Sequence, residues 1–264
     1  MMINAKTCLG SHDVLFLTFD TLRYDVAQSQ WQQGFTPNLA RYLPKTGWEA
    51  RHTPATFTYA AHQAFFAGFL PTPLGAHPHP RLWATTFAGS TSIHPHTLVF
   101  DHASIVGGFA AAGYRTVCIG GTGFFNPSFP LGTVLSGHFQ EAHWHAGLGV
   151  ASRNSTDQQV AQALACIENL PHYQRLFLFI NISALHQPNA FYLGQAEDDI
   201  HSHAAALRAV DAALPPLIEA LIARAPLLNV WCSDHGTTYG EDGYHGHRLA
   251  HPAVWTVPYA EFVL

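Results

Sequence analysis

This sequence predicts a three-layer αβα sandwich around a mostly parallel central sheet, in a single domain over residues 1–264. Two observations carry that expectation. Near-continuous apolar runs rich in branched and aromatic residues alternate with longer stretches of helical spacing, and no repeat or low-complexity linker divides the chain. The runs Asp13–Phe19 (DVLFLTF), Arg115–Gly120, Arg175–Ile182 and Leu227–Ser233 are bounded by polar or turn residues. They read as strands buried on both faces, as in a parallel sheet covered by helices. Asp101–Ala112, Asp157–Asn169 and His203–Arg224 carry helical spacing between them, the last broken or restarted at Pro215-Pro216. Trp48–His52 and Ala260–Leu264 are further strand candidates. Pro71–His96, rich in Pro, Gly, His and Thr, reads as a long irregular excursion.

Composition excludes several function classes. Hydrophobic residues make up 48% of the chain, too many for a disordered tail, yet no run is long enough for a membrane span. Charged residues are 11%, against about 25% in an ordinary soluble chain. The formal charge is −5 with no basic block, so a phosphate-tracking nucleic-acid groove has no electrostatic footprint. Polarity is concentrated instead in 19 histidines. The four cysteines are far apart without metal-type spacing, which suits free thiols in a reducing compartment. With no signal peptide in the opening residues, a cytoplasmic location is expected.

In an open α/β sheet the residues just beyond the strand ends face the ligand. Here the first strand runs into Asp20, Leu227–Ser233 into Asp234-His235-Gly236, and Arg175–Ile182 into Ser183-Ala-Leu-His186. Each Asp alone is more often a helix N-cap. Together they offer oxygen and nitrogen donors without thiolate, the ligand chemistry of a divalent metal. Thr58 begins a segment of helical composition that stops at Gly68 and Pro71, which places its hydroxyl near the positive end of a helix. It is either a helix cap or a group poised for an oxyanion. The turn-rich loop Gly240–His251 adds His245, His247 and His251, although His-x-His pairs recur elsewhere in the chain.

These segments resemble the sulfatase-like branch of the alkaline phosphatase superfamily. DVLFLTFDTLRYD is similar to its opening strand and metal-ligand Asp, TPNLARY to the following helix, and TYAAHQAFFAGFLP to the nucleophile motif. FAAAGYRT resembles the next helix-to-strand step, FLFINISALHQP the central strand with its trailing His, and SDHGTTYGEDGYHGHRLAHPAVWTVP the Asp-His-Gly signature through the closing strand. The matches run in family order from about residue 13 to the C-terminus.

The resemblance implies that Asp20, Thr58, Asp234 and His235 bind one divalent metal, zinc or manganese, and that Thr58 is also the nucleophile. His186 and His247 match positions that hold either a second metal or the transferred oxyanion, with His245 or His251 as further ligand candidates. His62, one helical turn after Thr58, is a supporting or substrate-contacting candidate, and equally a packing residue. Asn181 stands in the stretch where di-zinc relatives carry an Asp, so a one-metal site is the preferred arrangement. Arg23 and Asp25 read as structural. A threonine at the nucleophile position also excludes the formylglycine chemistry of many sulfatases.

The expected activity is metal-dependent hydrolysis or transfer of a phosphate ester, a mono- or diester or a phosphonate, through a phosphothreonine intermediate. The alternatives are a sulfate-ester or phosphomutase-like enzyme of the same superfamily, and a non-catalytic histidine-rich metal-binding protein on this fold. The expected partners are a small anionic ester and a pathway enzyme of the radical-SAM type, the latter implied by the resemblance, with no nucleic acid and no membrane. Oligomeric state is left open.

Overall fold

The computed structural model describes residues 3–68 and 104–264 and, between them, two short backbone stretches that pair in parallel, Trp83–Ala84 and Leu98–Val99. The irregular excursion expected over Pro71–His96 lies outside the described residues apart from Trp83–Ala84. Seven strands form the main sheet: β1 (Asp13–Phe19), β2 (Glu49–His52), β3 (Arg115–Ile119), β4 (Glu141–His143), β5 (Leu176–Ile182), β6 (Leu227–Cys232) and β7 (Thr256–Val263). Their order is β2-β7-β6-β1-β5-β3-β4. The five strands from β6 to β4 are mutually parallel, and β7 runs antiparallel to both its neighbours.

Alternation along β1 divides the core in two. Leu15, Leu17 and Phe19 face one side, where they meet α1 (Tyr24–Gln32), α2 (Pro37–Tyr42), α5 (Ser155–Glu168), α6 (Ile200–Ala213) and α7 (Pro215–Arg224). Val14 and Phe16 face the other, against α3 (Thr58–Ala67) and α4 (Ile105–Ala111). That second core is rich in phenylalanine: Phe66 and Phe179 meet edge-to-face at 5.1 Å, Phe16 and Phe179 at 5.5 Å. The three layers and the mostly parallel sheet are as the sequence predicts.

Differences from expectation have local causes. The run His203–Arg224 is two helices meeting at Leu214, because Pro215 has no N–H to continue the first and suits the first turn of the second. The first begins earlier than its apolar spacing suggests, since Asp199 and Ser202 close a reciprocal cap. α4 starts after Ser104, whose hydroxyl accepts the Gly107 N–H. β7 starts at Thr256, four residues ahead of the expected segment, and β4 is a three-residue strand with no apolar run to announce it. Among the described residues no helix is long and apolar enough to cross a membrane.

Parallel register brings chemistry to one edge. Thr18, near the end of β1, lies opposite Cys232 on β6 and Asn181 on β5. Two residues past that level on the first two strands stand Asp20 and Asp234.

Candidate active site

Asp20, Asp234 and His235 are fully buried side by side, with ligand-capable atoms of all three within 4.8 Å of one another. Each carboxylate is anchored by one oxygen and bare at the other. Asp234 Oδ1 accepts the backbone N–H of His235 at 3.0 Å and of Thr21 at 3.2 Å. Asp20 Oδ2 accepts Asn181 Nδ2 at 3.0 Å and the Thr58 hydroxyl at 3.4 Å. Among the described residues, Asp20 Oδ1 and Asp234 Oδ2 are buried without a hydrogen-bond partner. Leaving such atoms bare is costly unless something else neutralises them. Burial, and for Asp20 also the neighbouring Asp234 charge, raises the two carboxyls to about 6 and about 7 respectively.

His235 is oriented for the same purpose. Its Nδ1–H donates to the Gly236 carbonyl at 2.9 Å, which leaves the Nε2 lone pair directed inward, 3.5 Å from Asp234 Oδ2 and 3.3 Å from Thr58 Oγ1. Burial lowers its pKa and keeps it neutral. Two bare carboxylate oxygens, a neutral imidazole nitrogen and a hydroxyl make a donor set that fits a divalent ion such as zinc or manganese.

The backbone is bent to make this arrangement. Thr21, a β-branched residue at φ 63°, occupies the left-handed region that only a constrained site maintains, and it turns its N–H onto Asp234. Gly236, the third residue of the Asp-His-Gly run, donates to Val254 O at 2.7 Å, and a Cβ there would stand 2.0 Å from the Ala253 carbonyl oxygen. Gly236→Ala is therefore expected to destabilise the protein by about 1–3 kcal/mol. Thermal unfolding checks this, and an unchanged midpoint would contradict the packing argument.

Thr58 is not an N-cap. It is the first residue of α3, after an extended Phe57, and among the described residues no side chain caps that helix. Its hydroxyl, 2% exposed as a residue, looks across at Asp20 and His235. The expected stop is realised by Gly68, at φ 75°, whose N–H returns to Ala64 O. One turn in, His62 is wholly buried among Phe65, Phe66, Phe125 and Phe179 and held neutral by burial, its pKa lowered to about 3. Its Nδ1–H donates to Thr58 O at 2.7 Å, and its Nε2 accepts the Thr18 hydroxyl at 3.0 Å. That hydroxyl in turn accepts Asn181 Nδ2 at 3.3 Å. His62, Thr18 and Asn181 are thus a buried chain that positions Asp20, while Asn181 Oδ1 receives the Thr122 N–H at 3.0 Å.

His186 and His247 stand over this floor, ring centroids 5.5 Å apart, and His247 lies 4.5 Å from the His235 ring. Burial and the neighbouring His235 and His186 push His247 down to about 3, so it is a neutral donor-acceptor. His186 donates Nδ1–H to the Gln187 carbonyl at 2.5 Å, which turns Nε2 to the cleft. Among the described residues no third carboxylate, imidazole or thiol joins this pair within reach of one ion.

The remaining sequence candidates are placed elsewhere. His251, a candidate ligand, has both nitrogens engaged: Nδ1 accepts the Ala253 N–H at 3.0 Å as cap of the helix Pro252–Trp255, and Nε2 pairs with Asp242 at 3.2 Å. His245 is exposed on the cleft rim, in a two-residue ribbon with Tyr239, outside the ligand cluster. Arg23 forms a fork with Asp25 (2.9 and 2.6 Å) and reaches Glu241, clamping the first helix to the loop after Gly236.

Sequence reasoning missed the walls of the cleft. Above Thr58, His186 and His247 opens a space of about 620 Å³ lined by Phe124, Phe129, Leu131 and Val150, with Arg248 at its edge. Arg248, at φ 71°, is fixed by its N–H on Thr56 O at 2.9 Å and lays its guanidinium 5.3 Å from the Phe57 ring. A cation directly after His247 was the available signal.

No protein-family model and no curated protein sequence matches this chain. Solved structures do. The soluble domain of lipooligosaccharide phosphoethanolamine transferase A from Neisseria meningitidis matches with a TM-score of 0.66 at 15% identity, over 96% of this chain and 76% of that one. Against that integral membrane protein as a whole, the chain spans 48% of the length. The C-terminal periplasmic domain of EptC from Escherichia coli, solved as a zinc complex, matches with a TM-score of 0.58 at 13% identity, over 96% and 72%. A protein in the alkaline phosphatase superfamily from Vibrio parahaemolyticus matches with a TM-score of 0.61 at 12% identity, over 96% and 60%.

Proposed function

We propose that this chain, which has the fold of the alkaline phosphatase superfamily, is a metal-dependent enzyme that transfers or hydrolyses a phosphate ester through Thr58. The observation that carries the reading is the pair of bare, buried carboxylate oxygens of Asp20 and Asp234, beside a hydroxyl that no cap or core role requires. The zinc complex of a protein with the same fold supports a metal there.

Asp20, Asp234 and His235 would hold the ion. When bound, it lowers the pKa of the Thr58 hydroxyl and offsets charge on the phosphoryl oxygens. The chain's own residues supply the rest. Thr58 Oγ1 gives its proton to the carboxylate oxygen it faces, Asp20 Oδ2, and attacks phosphorus. The Oγ–P bond forms as the ester P–O bond breaks, and the leaving oxygen takes a proton from solvent. Neutral His247 and the positive end of α3 stabilise the non-bridging oxygens. Water or an alcohol then attacks phosphorus and releases its own proton to solvent as the Oγ–P bond breaks, and Thr58 Oγ1 recovers the proton held at Asp20. The four apolar side chains above would receive the carbon skeleton of the ester, and Arg248 any anionic group it carries.

A scaffold without activity would not need the hydroxyl beside the carboxylates. With zinc or manganese supplied, turnover of an activated phosphate ester should exceed that of the matching sulfate ester by at least ~10²-fold, since phosphate carries more charge for the ion and the donors to offset. Parallel assays of aryl phosphate monoester, diester and sulfate check this. Faster sulfate turnover would reverse the substrate class, and no turnover of any of them by the metal-loaded protein would favour the scaffold.

A further inference from the structure

A second cluster of metal-competent side chains lies away from the cleft, at the edge of the sheet, and shares no residue with it. Glu141 and His143 are two positions apart on β4, so their side chains leave the same face. They pair with Val117 and Ile119 of β3, which pack into the core shared with α5. Cys166 descends from the last turn of α5 onto the same spot. His143 Nε2 is 2.7 Å from Glu141 Oε1, and Cys166 Sγ is 3.4 Å from that nitrogen and 3.6 Å from that oxygen. All three side chains are partly exposed and line a cleft of about 540 Å³, so an ion has an entry path.

The distances discriminate between two readings. In a Cys-His-Glu proton relay the thiol and the carboxylate would address opposite ring nitrogens. Here both address Nε2, so the imidazole cannot stand between them. A tetrahedral zinc with bonds of about 2.3 Å to sulfur and about 2.0–2.1 Å to nitrogen and oxygen separates S from N or O by about 3.5 Å, and N from O by about 3.3 Å. The two sulfur distances already match. The N–O pair is shorter by about 0.6 Å, the length of the hydrogen bond that an ion would replace. Glu141 is pre-oriented for this role, because Arg115 holds its other oxygen, Oε2, through Nη2 at 2.6 Å and Nε at 3.2 Å.

We propose that Glu141, His143 and Cys166 form a separate zinc-class site, with three protein ligands and a fourth position open to water. One sulfur, one nitrogen and one oxygen select zinc or cobalt over magnesium, calcium or manganese. Binding releases the thiol proton to solvent, while the His143 ring proton moves from Nε2 to Nδ1 so that a neutral imidazole meets the ion. The consequence is mechanical: β4, only three residues long and paired on one side, becomes tied to α5.

Cobalt(II) added to the metal-free full chain tests this, because a thiolate-to-cobalt charge-transfer band in the near ultraviolet reports a sulfur ligand and the cleft around Thr58 contains none. The wild type should show the band, Cys166→Ser should lose it together with one equivalent of bound ion, and His143→Asn should lose it while retaining the thiol. Asp234→Ala should keep it, which separates this site from the one in the cleft. A wild type without the band, a band that survives Cys166→Ser, or a band lost in folded Asp234→Ala would each overturn the proposal. Circular dichroism confirms folding, and if Cys166→Ser fails to fold, His143→Asn decides alone.

Discussion

Thr58→Ala is expected to lose at least ~10³-fold in turnover of a phosphate ester while keeping its fold, its bound metal and its thermal midpoint close to wild type. Among the described residues the Thr58 hydroxyl makes two long polar contacts, 3.4 Å to Asp20 and 3.3 Å to His235, so its removal breaks no strong bond. What disappears is the hydroxyl that faces both Asp20 and His235. Thr58→Ser restores that hydroxyl without its methyl group and should recover a measurable fraction, reduced by the freer rotamer. Steady-state kinetics on the three proteins separate the possibilities. Equal activity of wild type and Thr58→Ala would remove Thr58 from the chemistry, and a large fall in unfolding midpoint would make it a structural residue.

Asp234→Asn should act in opposite directions on function and on metal-free stability. An amide keeps an oxygen for the Thr21 and His235 N–H groups and presents an NH₂ toward His235 Nε2. It removes the second anionic oxygen from the candidate ligand set, so the bound metal should fall by one equivalent per chain and activity with it. In metal-free protein the same change relieves a buried charge pair. Both carboxyls have folded pKa values raised above the ordinary value of 3.8, to about 6 and about 7, so the native state binds protons that the unfolded chain does not. Metal-free wild type should therefore lose stability as pH rises from about 4 through 7, and saturating metal should remove that slope. At pH 8, metal-free Asp234→Asn is expected to exceed metal-free wild type by about 1–3 kcal/mol, a difference that vanishes near pH 4. Thermal melts across pH with chelator or with metal check the sign, and a metal-free wild type that gains stability toward pH 8 would contradict it.

The parts of the site readable from the sequence were those attached to strongly patterned elements. β1 and β6 are continuous apolar runs, so the first polar residue after each, Asp20 and then Ser233-Asp234, had to stand at the sheet edge. The helix from Thr58 to Gly68 was equally legible from its composition and its stop. Other features depend on backbone shape that residue types do not encode. The left-handed turn at Thr21 creates the N–H that anchors Asp234, and nothing in Asp-Thr-Leu announces it. His251 differs from His247 only in what its surroundings demand, and capping a short helix takes up one ring nitrogen. The apolar wall comes from a turn-rich segment, Gly123–Leu131, whose composition reads as surface loop. β4 escaped because three residues, two of them polar, carry no periodicity.

In the proposed function Thr58 Oγ1 carries the phosphoryl group between donor and acceptor. The most direct measurement is an acid quench of metal-loaded enzyme during turnover of an activated phosphate ester, followed by mass spectrometry of its peptides. One added phosphoryl group is expected on the peptide containing Thr58, localised to that residue and absent from Thr58→Ala. An enzyme that turns the ester over with Thr58 unmodified at every quench time, or with the phosphoryl group on another residue, would contradict it.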